Sequence, residues 1–247
     1  RETIEALNAL RERLAPPPAD EDAGDERYRE LLLGRLENEC ANTWQRVRDR
    51  SEEETSGITH HLERSIALKE PHGDLEGLAA SYGVLGNFYM WTRPEPAKAL
   101  ENYRKDLEII DRAGSRFARP SLLNRIGMAS YDQALQATPV DEGGVEGALA
   151  NCGKALSEAL ALGQENDAIF AAGAAVRFGC EQDRPLESWA AALEALEGPS
   201  LIDEGATFAR NGAAGLLRQG AATLEEGDLK LRVLSAAEAL SPEQKPE

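Results

Sequence analysis

Five small residues, Ala41, Gly86, Gly127, Gly173 and Gly212, recur at intervals of 45, 41, 46 and 39 positions. Each lies in a segment whose apolar residues follow helical spacing. Self-similarity at such a period points to a repeat architecture, in which a helix pair cannot bury its own apolar face and stacks on its neighbour. Gly and Pro cut the chain into segments of about 12 to 20 residues, and the Val/Ile/Thr alternation of strands is nearly absent. The expected fold is all-α, an α-solenoid of stacked antiparallel helix pairs.

Three regions follow from the punctuation. Residues 1–26 read as an amphipathic helix over 1–14 and an acidic linker over 15–26 containing Pro16, Pro17 and Pro18. Residues 27–240 read as an array of about four to five pairs, and residues 241–247 as a disordered tail. Within the array a helix runs to about Asp49, residues 51–55 form an acidic turn, and a helix follows to about Lys69. Asp74 is placed to cap a helix through Trp91, Pro94 and Pro96 mark the next start, and Gly114 follows its end. Pro120 opens a helix to about Ala137, residues 138–143 are a loop, and Gly163 closes the next helix. Asn166 and Asp203 read as later caps, with helical segments over 167–181, 185–196, 204–219 and 228–240.

Tyr82, Leu85, Gly86 and Tyr89 stand as Y-x2-L-G-x2-Y, and Ala99 with Tyr103 as A-x3-Y on the next helix. This resembles the tetratricopeptide repeat, whose pattern is W-x2-L-G-x2-Y followed by A-x3-F. Weaker copies use Leu123, Ile126 and Gly127 with Ala148, Cys152 and Ala155, then Ile169, Ala172, Gly173 and Val176 with Trp189 and Ala192. A further copy runs from Phe208 and Gly212, and an earlier one uses Cys40, Ala41 and Trp44, with Glu37 in its first aromatic slot. Asp106 and Asp111 stand where the family has Ala and Pro, and the period exceeds the family's usual 34 residues. The long period is similar to that of extended arrays in bacterial signalling and adaptor proteins. HEAT-like pairs, of similar period, remain the alternative repeat. Packing explains the pattern, because a small residue lets paired helices approach closely and large residues fill the gap to the next pair. Gly86 is the expected contact point.

Composition narrows the function. The 247 residues carry 44 Asp and Glu against 27 Lys and Arg, a formal charge of −17, which repels nucleic-acid backbones. No apolar run approaches the roughly 20 residues that cross a bilayer, and no basic segment with a following apolar run opens the chain. Nucleic acid and membrane are therefore not expected partners. Cys40, Cys152 and Cys180 are odd in number and widely spaced, as suits reduced thiols in a cytoplasmic protein. The chain opens on Arg1 rather than Met, which raises the expectation of a piece of a larger protein whose neighbouring domains hold an activity.

Catalytic and cofactor motifs are not evident. His60, His61 and Glu63 share a helix with His72 near its end, but adjacent helical residues diverge by about 100° and do not converge on a metal. Glu52, Glu53 and Glu54 diverge likewise, so they read as a solvated turn rather than paired acids. Gly143–Gly144 and Gly212–Gly215 lack the Lys and Ser or Thr of a phosphate loop. Cys152, at a packing position, reads as a structural thiol. The expectation is no catalytic residue, no metal and no cofactor.

The remaining candidate is the concave face built by the first helix of each pair. Helical phase places Asn87, Met90 and Trp91 there in one unit and Asn124, Arg125, Met128 and Tyr131 in the next. Arg177 and Phe178 extend it, followed by Arg210 and Leu217. An Asn amide offers both a donor and an acceptor to a peptide backbone, and Arg selects a carboxylate. The resemblance implies the same use for Asn87, beside the repeat glycine. The expected function is a non-catalytic scaffold or adaptor that binds a peptide, helix or domain of another protein. The alternative is a ligand- or peptide-sensing regulatory segment of a larger signalling protein, regulator or protease.

Overall fold

The computed structural model describes residues 2–14, 22–47, 49–198 and 207–241. Among these residues every regular element is helical: α1 (Glu2–Leu14), α2 (Ala23–Gln45), α3 (Glu52–Lys69), α4 (Leu75–Asn87), α5 (Pro96–Ala113), α6 (Arg119–Gln136), α7 (Glu142–Ala161), α8 (Glu165–Glu181), α9 (Ala190–Glu197), α10 (Thr207–Ala221) and α11 (Asp228–Leu240). The chain divides into two compact units, Arg1–Ser115 and Arg116–Glu247. The first unit takes in α1, which packs on α2.

Short polar side chains start the helices of the first unit. Asp22 accepts the N–H groups of Gly24 and Asp25 at 2.8 and 2.9 Å, so α2 begins at Ala23, inside the stretch expected as linker. Residues 15–21 of that stretch lie outside the described residues. Ser51 Oγ accepts the Glu54 N–H at 3.1 Å while Glu54 Oε2 accepts the Ser51 N–H at 2.8 Å. The stretch expected as an acidic turn is thus a capping box and first helical turn, and its carboxylates face the positive helix end. Asp74 accepts the Gly77 N–H at 3.0 Å and starts α4 as expected.

The pairs α2/α3 and α4/α5 pack as antiparallel hairpins, and α4 rests on α2 and α3. Ala41, Ile58, Leu62, Leu85 and Phe88 form the core between the pairs, with Trp44, Ile66, Val84 and Tyr89 against it. Gly86 is the contact point of the second pair, since a Cβ there would sit 2.4 Å from the Tyr103 ring. Tyr103 fills the space and is fully buried.

In the second unit α8 is central, packed by α6, α7, α9 and α10. Its run from Ala168 to Val176 is buried except for Phe170, the pattern of a helix enclosed on most sides. Glycine sets the approach of its neighbours. A Cβ on Gly220 would lie 3.0 Å from the Arg177 Cα, and one on Gly173 would lie 3.2 Å from the Ala213 Cα. The α6/α7 pair closes where a Cβ on Gly127 would meet the Cys152 sulfur at 2.7 Å. Asn166, expected as a cap, lies inside α8, whose N-cap is Gln164. Asp203 and the tail over 242–247 lie outside the described residues.

Candidate functional site

The expected groove residues divide between the two units, and within each unit packing reassigns most of them. In the first, α4 runs into a wide π-helical turn at Phe88–Thr92, where the Arg93 N–H reaches the Phe88 carbonyl at 2.9 Å. The extra residue in that turn offsets the side chains that follow from α-helical phase. Phe88 and Met90 point inward, Met90 at 7% exposure, while Trp91 is 63% exposed. Met90 is therefore corrected from groove to core. Asn87 is half-buried, and its Oδ1 accepts the Tyr103 hydroxyl at 2.9 Å, which ties the amide to the repeat's own aromatic residue.

In the second unit the corrections are larger. Tyr131 and Phe178 are buried and stacked, ring centroids 3.9 Å apart, because they fill the seam between α6 and α8. The Tyr131 hydroxyl donates to Glu181 Oε2 at 2.8 Å and accepts from Gln182 Nε2 at 3.1 Å. Burial and the carboxylate beside it push its pKa well above the usual tyrosine value. Arg177 pairs with Glu181 at 2.7 Å and lies over the Tyr131 ring at 5.8 Å, so its charge is already matched within the unit. Asn124 is buried beside Cys152, whose sulfur lies 3.6 Å from its Oδ1. Leu217 is fully buried and Arg210 half-buried. Arg125 and Met128 stay partly exposed, Arg125 near Asp167. Tyr131, Phe178, Asn124 and Leu217 thus hold helices together, since the first helix of each pair here is packed on several sides.

Two buried polar centres in the first unit are absent from the sequence reading. Glu37 on α2 is fully buried, its Oε2 2.6 Å from His61 Nδ1 and 3.5 Å from Arg11 Nη1, its Oε1 3.2 Å from Arg64 Nε. Burial opposes its charge, yet the His61 hydrogen bond and the surrounding cations hold its pKa below the usual carboxylate value. One helical turn of α2 away, Lys69 Nζ donates to the Gly77 carbonyl at 3.0 Å and Ser81 Oγ at 2.8 Å. Ser65 Oγ lies 2.9 Å from Ser81 Oγ and donates to the Gly34 carbonyl at 2.6 Å. Burial pulls the Lys69 pKa down to about 8, with Asp74 opposing. Ser65, Lys69 and Ser81 are all closed off from solvent, so the cluster joins helices rather than meeting a substrate. The signal for Glu37 was present in the sequence, as a carboxylate in an aromatic packing slot needs a cation from the facing helix.

A cleft of about 360 Å³ lies between α4 and α5, lined by Leu75, Leu78, Tyr82, Ile109, Lys105 and Arg112 among others. Lys105 is paired with Glu101 at 2.7 Å and lies 5.5 Å from the Tyr82 ring centroid. Among the described residues no group of three or more His, Cys, Asp or Glu gathers to hold a metal, and no helix is long and apolar enough to cross a membrane.

No family model matches the chain, and no curated protein matches it. Among solved structures, a chain from work titled "Computational Design of Self-Assembling Cyclic Protein Homooligomers" aligns with 97% of this chain and 89% of its own length. The two are 15% identical and superpose with a TM-score of 0.20, a likeness that carries no functional argument.

Proposed function

We propose that this chain is a non-catalytic scaffold or adaptor of tetratricopeptide type, akin to the arrays of bacterial signalling proteins, that holds a peptide, helix or domain of another protein. Trp91 is the observation that supports this reading. Tryptophan is the side chain most enriched at the energetic centres of protein interfaces, and here the π-helical turn turns it outward at 63% exposure. Arg93, Glu95 and Lys98, in and just after the same turn, supply the polar rim that such a centre needs, Lys98 paired with Glu95 at 2.6 Å. Cys40, Cys152 and Cys180 are buried free thiols, in keeping with a cytoplasmic location.

The test is affinity capture from a lysate of the source organism with wild type and Trp91→Ala, read by mass spectrometry. A protein retained by wild type and lost with Trp91→Ala, while the melting temperature stays unchanged, supports the reading. Equal retention by both contradicts it.

A sensing segment of a larger protein is the second reading, favoured by the cleft between α4 and α5. Its lining joins Leu75, Leu78, Ile109 and Tyr82 to charges of both signs, Glu70 and Glu108 with Lys105 and Arg112, which suits a small amphipathic ligand.

A further inference from the structure

Helix α1 is seated on α2 by one narrow face, Ile4, Leu7, Asn8, Arg11 and Leu14, while the residues between them are exposed. Ile4 alone on α1 is buried. Arg11, seven positions after Ile4 and on the same face, reaches the buried Glu37 carboxylate. Two features make this seat exchangeable. First, Glu37 keeps His61 and Arg64 of α3 when α1 departs, so withdrawing Arg11 strands no buried charge. Second, Asn8 Oδ1 is buried with no hydrogen-bond partner, so docking desolvates a polar atom and returns nothing for it. The helix itself is well supported, with Glu2 and Glu5 in its first turn and Arg11 and Arg13 in its last. It is therefore a formed helix on an imperfect fit.

We propose that the face of α2 and α3 around Glu37 is a helix-docking site that α1 occupies in cis, and that its partner is an amphipathic helix bearing an aliphatic residue and, seven positions later, an arginine. A partner with a second aliphatic residue where α1 carries Asn8 removes the orphaned amide and displaces α1. The buried carboxylate gives the selectivity, since the Arg guanidinium pairs with it as an ion, Nη1 3.5 Å from Oε2, and also lies 3.3 Å from His61 Nδ1, contacts a neutral aliphatic side chain cannot make. This site is independent of the Trp91 surface, and either can fail without the other.

The probe is a fluorescent synthetic peptide of residues 1–14 carrying Asn8→Leu, titrated by anisotropy against the full chain. Wild type and a full-chain Ile4→Asp variant, whose own α1 is released, are compared. Ile4→Asp is expected to bind saturably and about tenfold or more tighter than wild type, whose tethered α1 competes at high effective concentration. Adding Arg11→Ala to the peptide is expected to weaken binding by about tenfold or more. Should Ile4→Asp lose helicity beyond α1, Leu7→Asp takes its place. No binding to a folded release variant, equal binding by the Arg11→Ala peptide, or equal binding by wild type and release variant would each overturn the proposal. A wild-type dimer that Ile4→Asp dissociates would also overturn it, by giving the face to α1 of a second copy.

Discussion

The two units are both built of packed helices but fill the space between them with opposite chemistry. The N-terminal unit buries Glu37, Asn38, His61, Ser65, Lys69, Ser81, Asn102 and Asp106. In the C-terminal unit the described buried polar side chains are Asn124 and Gln164, and the interior is largely alanine, leucine, glycine and thiol. Helices joined by small residues come within backbone contact, and their alignment is set by volume. Helices joined by buried polar groups are aligned by matched donors and acceptors, as where Ser65 reaches the Gly34 carbonyl and Lys69 reaches Ser81. A volume-set seam fails when overfilled, whereas a charge-set seam responds to pH and to the loss of one partner.

Overfilling the seam with the closest backbone contact should have the largest effect. Gly220→Leu places side-chain atoms against the Arg177 backbone of α8, which cannot rotate away, and is expected to cost about 3 kcal/mol by chemical denaturation. Gly86→Leu in the N-terminal unit meets the Tyr103 ring, which can swing, and should cost about 2 kcal/mol. Equal and negligible costs would mean that neither seam is set by volume.

Titration separates the Lys69 seam from the Cys152 seam by sign. Lys69 has its pKa lowered by burial from 10.5 to about 8, so between those values the unfolded chain binds more protons and stability rises with pH. Below pH 8 both states carry the charge, and the desolvation cost is present in full. Lys69→Met is accordingly expected to stabilise the protein by about 1 kcal/mol at pH 7, with the gain gone by pH 10.5. Cys152 behaves oppositely, its thiol pushed up from 9 to about 12 by complete burial. Its contribution is whole below pH 9 and is lost as pH rises from 9 towards 12, so Cys152→Ala should flatten that decline. Cys40 in the N-terminal unit shifts in the same direction as Cys152, so each effect is read as the difference between variant and wild-type curves. A Lys69→Met curve parallel to wild type from pH 7 to 10.5 would contradict the charge-set seam.

An effect as small as that of Lys69→Met is expected at Tyr131. Tyr131→Phe keeps the stack on Phe178 and removes the hydroxyl's hydrogen bonds to Glu181 and from Gln182, costing about 1 kcal/mol in the same denaturation assay.

These contrasts explain what the sequence made legible. Gly86 against Tyr103 and Gly127 against Cys152 were readable because a small residue at a fixed interval has one packing meaning. The caps at Asp74, Gly114 and Gly163 were readable because they are local, Gly114 and Gly163 adopting φ of +69° and +66°. The groove residues were misplaced by two non-local facts. One extra residue in the turn after α4 drew Met90 inside while leaving Trp91 exposed, and the enclosure of α8 by four helices drew Phe178 and Tyr131 inside. The Glu37 centre joins residues from three helices, 26 and 24 positions away at Arg11 and His61, and no local pattern links them.

Hydrogen exchange read by mass spectrometry on the full chain, corrected for intrinsic rates, tests the contrast most directly. One buried aliphatic residue and one ion pair hold α1, whereas backbone-close packing on several sides holds α8. Amides of α1 are expected to exchange about 100-fold or more faster than those of α8 at one pH, with α2 and α3 retaining protection after α1 has exchanged. Protection of α1 equal to that of α8 would contradict the account.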